Sequence, residues 1–326
     1  MRRRDLILFS SGLVVLIGQR GANAAEMPNK IFRIGRVAST PPSSPGWVAF
    51  GQRLAELGYQ AGRNLEAGFV EVGGALGDNQ AAVAELVHRV DLVVAGGPEV
   101  ALRAATRASD AIPVVMVAID YDPLAGGYIA SLSRPGSNVT GVFFQQTELS
   151  AKRVELLKEA SPQLVRAVLF WDAISADQLQ AVRAMGASLN ISFVEVELRN
   201  PPYDYQRALS QADANKAGAL MVLSSPFIFR DRAKLAEFAL ERHLPLISPF
   251  RELTDAGGLL SYGASVPGMY RRAAEYADRI LTGAKPGDLP VERPTKFELI
   301  VNLKTARTLG IDLQSSLLAR ADEVIE

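Results

Sequence analysis

Residues 92–119 read LVVAGGPEVALRAATRASDAIPVVMVAI, and this stretch decides the fold. Leu92–Ala95 is a short apolar run suited to a buried strand. Gly96-Gly97-Pro98 turns the chain into a helix that starts near Glu99. Pro113–Ile119 is again an apolar run of strand length. Two strands separated by one helix imply a parallel pair joined by a crossover.

The same alternation continues outward in both directions. Upstream, Ile31–Val37 and Leu65–Val72 read as strands. Ser44-Pro45 starts a helix running to about Leu57, with proline at the first helical position. Asp78 caps the next helix, in which Val83, Leu86, Val87 and Val90 recur at helical spacing. Downstream, Val139–Phe144 is a fifth strand.

A second series then begins. A helix opens at Ser150 and ends near Ala160, and strands follow at Ala167–Trp171, Ile191–Leu198, Ala219–Leu223 and Leu246-Ile247. Helices are expected between them, one introduced by the capping-box spacing of Ser175 and Gln178 and others over Tyr203–Ala214 and Phe229–Arg242. Two such series imply an α/β chain of two doubly wound parallel-sheet domains. Ligands in such sheets lie beyond the carboxyl ends of the strands, where strand order reverses.

Composition agrees. The 326 residues are 48% hydrophobic and 21% charged, as in ordinary globular chains. Lys plus Arg and Asp plus Glu both total 35, which argues against a nucleic-acid partner. The chain has no cysteine, so disulfides, thiolate nucleophiles and Cys-ligated metals are excluded. His88 and His243 are the two histidines, each near a helix C-terminus where the dipole favours them.

Residues 1–24 read as a signal peptide. Arg2, Arg3 and Arg4 precede the apolar run Leu6–Gly18, and Ala22-Asn23-Ala24 supplies the small-x-small cleavage pattern. Arg3-Arg4-Asp5-Leu6-Ile7 also fits a twin-arginine start, so both Sec and twin-arginine export remain open. Removing four Arg and one Asp leaves 31 basic and 34 acidic residues, a net charge of −3. The expected location is the periplasm.

No G-x-S-x-G, Walker A or H-E-x-x-H pattern is present. Gly73-Gly74-Ala75-Leu76-Gly77 reads as a plain loop. The residues after the strands are instead rich in hydroxyls, carboxylates, amides and aromatic rings, the mixture of a small-molecule cleft. The candidate ligand-binding residues are Ser39, Thr40, Gly97, Glu99, Asp120, Asp122 and Gln145 in the first series. In the second they are Trp171, Asp172, Ser224, Ser225, Phe250 and Tyr262. No catalytic or metal-binding set emerges.

Three further stretches bear a resemblance. GDLPVERPTKFELIVNLKTARTLGIDLQSSLLARADEVIE at 287–326, DPLAGGYIASLSRPGSNVTGV at 122–142 and ELTDAGGLLSYGAS at 252–265 resemble a large family of ABC-transporter substrate-binding proteins, as does the opening MRRRDLILF. The resemblance implies a type I periplasmic-binding-protein fold whose two domains are joined by three crossings. These are expected near Gln145–Ser150, Pro249–Leu253 and Asp288–Pro294. The first domain would comprise 30–146 with 252–288, and the second 147–251 with 289–326. It also implies a monomer without cofactor or catalytic activity. It would close by hinge motion on a small molecule and deliver it to an ABC permease and its ATPase in the inner membrane.

Relatives that bind aromatic amino acids resemble Thr-Asp-Asn where this chain has Ser224-Ser225-Pro226. They resemble Asn-Pro-x-Glu at Trp171-Asp172-Ala173-Ile174, and His-Pro where it reads Ser39-Thr40-Pro41-Pro42. The ligand expected here is small and aromatic or carboxylate-bearing. The alternative is a periplasmic sensing module for a signalling receptor.

Overall fold

The computed structural model describes residues 30–73, 76–214 and 216–326. The leader at 1–24, and Gly74 and Ala75 of the glycine-rich loop, lie outside the described residues. The chain divides into two units, one running to Phe144 and including Val266–Arg293, the other made of Gln145–Ser265 and Pro294–Glu326.

In the first unit, β1 (Phe32–Ala38), β2 (Leu65–Glu71), β3 (Leu92–Gly97), β4 (Val114–Ile119) and β5 (Val139–Phe144) form a wholly parallel sheet in the order β2-β1-β3-β4-β5. The continuous apolar runs of β3, β4 and β5 are buried almost throughout, as strands covered on both faces must be. Helices α1 (Pro45–Glu56), α2 (Gln80–Val87) and α3 (Glu99–Ala108) start close to the expected positions. Asn79, in a left-handed conformation, precedes α2 in place of the expected Asp78 cap. α1 packs along α10 (Val266–Leu281), where Arg271–Glu56 at 2.7 Å and Arg53–Glu275 at 3.0 Å join the two helices.

Gly141 sits in the middle of β5 at φ +134°, and a Cβ there would lie 2.1 Å from the Met116 carbonyl oxygen of β4. Backbone cannot yield as a flexible side chain does. Gly141→Ala should therefore cost about 2–3 kcal/mol, measured as a lowered denaturant midpoint.

The second unit adds α4 (Thr147–Ala160), β6 (Arg166–Trp171), α5 (Leu179–Ser188), β7 (Ser192–Glu197), α6 (Tyr205–Ala214) and β8 (Leu220–Val222). These are followed by α7 (Pro226–Arg230), α8 (Arg232–Glu241), β9 (Leu246–Ser248), α9 (Arg251–Asp255) and β10 (Leu260–Ala264). After the excursion through the first unit come β11 (Phe297–Asn302), α11 (Leu303–Leu309), α12 (Ser315–Ala319) and β12 (Glu323–Ile325). Sheet order is β12-β11-β10-β9-β8-β6-β7, with only the β10–β11 pair antiparallel.

This topology corrects two expected boundaries. The expected crossing near Pro249–Leu253 would put the strand at Leu259–Tyr262 in the first domain. In the structure β10 pairs with β9 through Leu260↔Ile247 and with β11 through Leu260↔Val301. The chain leaves the second unit at Ser265–Val266. It re-enters at Arg293–Pro294, so 289–293 belong to the first unit. Val142 bridges Glu292 there, and the Phe143 N–H donates to the Glu292 carbonyl at 3.0 Å. Among the described residues no helix is long and apolar enough to cross a membrane.

Burial raises seven tyrosine hydroxyls above the ordinary phenol value: Tyr59, Tyr121, Tyr128, Tyr203, Tyr205, Tyr270 and Tyr276. Tyr128, which also donates to Glu99, is pushed up to about 12. A raised folded pKa means that the unfolded chain loses its proton first. This part of the stability is complete below pH ~10 and is lost as pH climbs towards 12 and beyond. The phenolate absorbance of these tyrosines should rise together with unfolding, in one steep alkaline step that coincides with loss of far-UV circular dichroism.

Candidate ligand-binding site

Strand order reverses between β1 and β3 in the first sheet and between β6 and β8 in the second. Four loops therefore matter most. Ser39, Gly97, Asp172 and Ser224 stand at or just beyond these strand ends.

In the first unit Ser39 is 9% exposed, and its hydroxyl has no hydrogen-bond partner. Gly97 holds φ +97°, and a Cβ there would come 3.6 Å from the Ser39 Oγ. Glycine thus allows the tight turn into α3 beside that hydroxyl. Thr40 Oγ1 accepts from Ser44 at the long distance of 3.5 Å, so Ser44 does not use its side chain to cap α1. Glu99 accepts from the Tyr128 hydroxyl at 2.7 Å. Asp120 adopts a left-handed turn at φ +66°, and its N–H donates to the Phe144 carbonyl at 3.1 Å. Asp122 Oδ1 accepts from the N–H groups of Leu124 at 2.8 Å and Ala125 at 3.2 Å, which makes it a turn cap.

The second unit is organised by two buried groups. Asp172 is 2% exposed. Its Oδ1 accepts from the Ile174 and Ser175 N–H groups at 3.1 and 3.2 Å and lies 3.1 Å from the Ser175 hydroxyl. Its Oδ2 accepts from the Tyr203 hydroxyl at 2.8 Å and from the Ser225 hydroxyl. Ser225 in turn accepts from Phe227 N–H and caps α7. Asp172 and Ser225, both read as ligand contacts, are instead bound to each other.

The second buried group is Arg153, fully enclosed on α4. Its Nε donates to the Tyr262 carbonyl at 2.8 Å, one terminal nitrogen to Ser150 Oγ at 3.0 Å and the other to Gln146 Oε1. Ser150 Oγ lies 3.0 Å from Gln178 Oε1, which also accepts from the Ser224 N–H at 3.3 Å. The expected Ser175–Gln178 capping box does not form, because both side chains bond elsewhere.

Because Arg153 and the Ser224 amide can only donate, they fix the two carboxamide oxygens inward. The Nε2 groups of Gln146 and Gln178 are left buried without hydrogen-bond partners. The Ser224 hydroxyl and the Trp171 indole N–H are in the same condition. Buried polar atoms without partners are rare and call for an explanation.

The remaining candidates separate. Gln145 is exposed, whereas Gln146 beside it is fully buried. Phe250 is buried edge-on against Phe229, with ring centroids 5.2 Å apart, and belongs to the core. Trp171 and Tyr262 are half-buried on the second unit's core cluster. Gln146, Gln178, Ser150 and Arg153 were not among the chosen candidates. The signal for Arg153 was its position in α4 beside Val154, Leu156 and Leu157, on a face that is buried. No group of three or more His, Asp or Glu side chains suited to a metal occurs among the described residues.

Two α/β units built on parallel-dominated sheets, with polar groups gathered where strand order reverses, define a type I periplasmic-binding-protein fold. Residues 48–325 match the family model for the ABC transporter substrate binding protein, and the chain belongs to that family. A tyrosine-binding protein of Clostridioides difficile is 25% identical over 295 residues, covering 88% of this chain and 83% of that protein. An ABC domain from Streptococcus pneumonia, solved in complex with L-Trp, is 24% identical with a TM-score of 0.74, covering 91% of this chain and 100% of that one. A conserved domain protein of Vibrio cholerae is similar at 24% identity and a TM-score of 0.76, covering 90% of this chain and 100% of that one. Members are ligand-binding components of transporters, not enzymes. This chain is therefore a substrate-binding protein of an ABC transporter and binds a small molecule.

Proposed function

We propose that the chain is the receptor of an ABC importer. It works as a periplasmic monomer, exported through residues 1–24. The ligand lies between the two units and contacts both, so it favours the closed arrangement by its differential contacts. The closed protein then delivers the ligand to an inner-membrane permease driven by an ATPase. In this reading Ser39, Thr40, Gly97 and Asp120 provide contacts from the first unit. Trp171, Ser224, Tyr262 and the buried amides of Gln146 and Gln178 provide them from the second.

The observation that supports this reading is that Gln146 Nε2, Gln178 Nε2, Trp171 Nε1 and the Ser224 hydroxyl, all near strand ends of the second unit, are buried without hydrogen-bond partners. Each orphaned group costs about 1–3 kcal/mol unless something bonds to it. A ligand that satisfies them recovers that cost on binding. The test is thermal unfolding of the purified protein against amino acids, aromatic acids, short carboxylates, sugars and nucleosides. A ligand that binds only the folded state stabilises by about 2.7 kcal/mol at one hundred times its Kd. A saturable rise in Tm with one chemical class is expected. A flat response across all classes would overturn the receptor reading.

A further inference from the structure

We propose that Tyr203 is a positioning residue of the ligand site: through Asp172 it holds the loops after β6 and β8, and with them Trp171 and Ser224, in a fixed arrangement. The proposal rests on the receptor reading above for the roles of Trp171 and Ser224. Tyr203 itself is no ligand contact in it.

The backbone ladder between β6 and β8 stops short of both groups. The Val168 N–H donates to the Ala219 carbonyl at 2.9 Å, and the Leu223 N–H donates to the Phe170 carbonyl, also at 2.9 Å. The next rung in that series would use the Asp172 N–H, which donates instead to Ser175 Oγ at 3.0 Å. Trp171 and Ser224 therefore lie at or beyond the end of the ladder. Chains that have left a ladder open easily unless side chains join them.

Asp172 supplies the join. It is 2% exposed, and its Oδ1 accepts from the Ile174 and Ser175 N–H groups, which folds the loop after β6 back on itself. Its Oδ2 accepts from Ser225 in the loop after β8 and, at 2.8 Å, from Tyr203 in the segment after β7. Ser225 Oγ accepts in turn from the Phe227 N–H at 3.2 Å. One carboxylate thus gathers the segments that follow three neighbouring strands, β8, β6 and β7.

Of the two hydroxyls on Oδ2, that of Tyr203 is the fixed one. A serine hydroxyl sits on a single short stem and turns to suit its acceptor, and a carboxylate rotates broadly about its own last bond. The Tyr203 ring is 6% exposed and is held edge-on by Tyr205 and Phe227, with ring centroids 6.0 and 5.8 Å away. Its oxygen therefore has one place to be, and the carboxylate turns to meet it. Burial, and then the Asp172 charge, raise the phenol well above its ordinary value, so Tyr203 keeps the proton it donates. Trp171 directly precedes Asp172, and Ser224 directly precedes Ser225. The indole N–H and the Ser224 hydroxyl, both buried without hydrogen-bond partners, are thereby set at a constant separation before any ligand arrives. Groups held in this way bind without the cost of being ordered first.

Native-state hydrogen exchange on the ligand-free protein, read residue by residue by NMR, tests the proposal. Tyr203→Phe keeps the ring and removes the hydroxyl. The Ile174, Ser175 and Phe227 N–H groups should then exchange about ten-fold faster, all three together, since one hydrogen bond to a charged acceptor is lost. Val168 and Leu220, whose N–H groups bond the Ala219 and Pro245 carbonyls, should keep their rates. Tyr205→Phe is the control. It removes a neighbouring hydroxyl that donates to Asp231 at 3.3 Å and not to Asp172, and it should leave the three loop amides unchanged. In a Trp47→Phe background, acrylamide quenching of Trp171 fluorescence should rise in Tyr203→Phe and not in Tyr205→Phe. Unchanged exchange or quenching in Tyr203→Phe would overturn the proposal, as would faster exchange at Ile174 and Ser175 without Phe227. Equal acceleration by Tyr205→Phe, or acceleration that includes Val168 and Leu220, would mark a purely structural role and overturn it too. None of these outcomes touches the receptor reading, because no ligand takes part; a flat thermal-shift response would overturn that reading whatever the exchange result.

Discussion

Asp172→Ala should destabilise the second unit by about 4 kcal/mol and lower its Tm by roughly 10 °C. The carboxylate is 2% exposed and accepts from two backbone N–H groups and two hydroxyls. Hydrogen bonds to a charged acceptor are each worth about 1.5–3 kcal/mol, and alanine leaves all four donors buried. Relaxation of the loop after β6 keeps the total below their sum. Asp172→Asn should cost about half as much. The Tyr203 and Ser225 hydroxyls can turn to accept from the new amide N–H, but their own protons then lose an acceptor. The chain has two tryptophans. Trp171 fluorescence in a Trp47→Phe background therefore reports on the second unit alone. Equal losses for the alanine and asparagine variants would show that charge, not hydrogen-bond geometry, sets the effect.

Arg153→Met should cost about 3 kcal/mol. Methionine keeps the apolar stem but removes every donor. The Tyr262 carbonyl and Gln146 Oε1 then lose the charged partner shown here, inside a site with no exposed surface at Arg153. Two orphaned acceptors at about 1–3 kcal/mol each set the upper range. No longer burying a cation offsets part of it, which is why the estimate lies below that for Asp172. Arg153→Lys should recover little, because an ammonium group has no planar fork to span Tyr262, Ser150 and Gln146. Freed from Arg153, the Gln146 amide can turn over, so ligand affinity should fall along with stability. Full stability in Arg153→Met, read by the same fluorescence, would remove this residue from the account.

Strands buried on both faces were the most legible part of the fold. Val139–Phe144 stands where its apolar run placed it, and β3 and β4 differ from the expected ends by one or two residues. A continuous apolar run needs no partner to be recognised. The sheet it joins is another matter. Leu260–Ala264 has the right composition for either unit, and its membership follows from pairing with Ile247 and with residues 297–301, which composition does not encode.

The site was legible as a set of loops and less so as residues. Ser39, Trp171 and Ser224 carry buried polar atoms awaiting partners. Asp172 and Ser225 stand in the right loops, but their polar atoms are occupied by each other and by Tyr203. Local pattern pointed to Ser175 and Gln178 as a capping pair. Long-range donors from Ser150 and the Ser224 amide won Gln178 instead, and a four-residue spacing contains no trace of them. Gln145 and Gln146 are adjacent and chemically identical. Which one turned inward was decided by the helix start at Thr147.

The discontinuity of both units has a consequence for synthesis. A nascent chain that has emerged as far as Ser265 contains β1 to β10, yet neither unit is finished. The first sheet still lacks α10, which covers β3, β4 and β5. The second still lacks β11, so Leu260–Ala264 presents a bare edge of mostly buried residues. The first unit is completed only at Arg293 and the second only once Pro294–Glu326 have followed, so completion of both is deferred to the last part of synthesis.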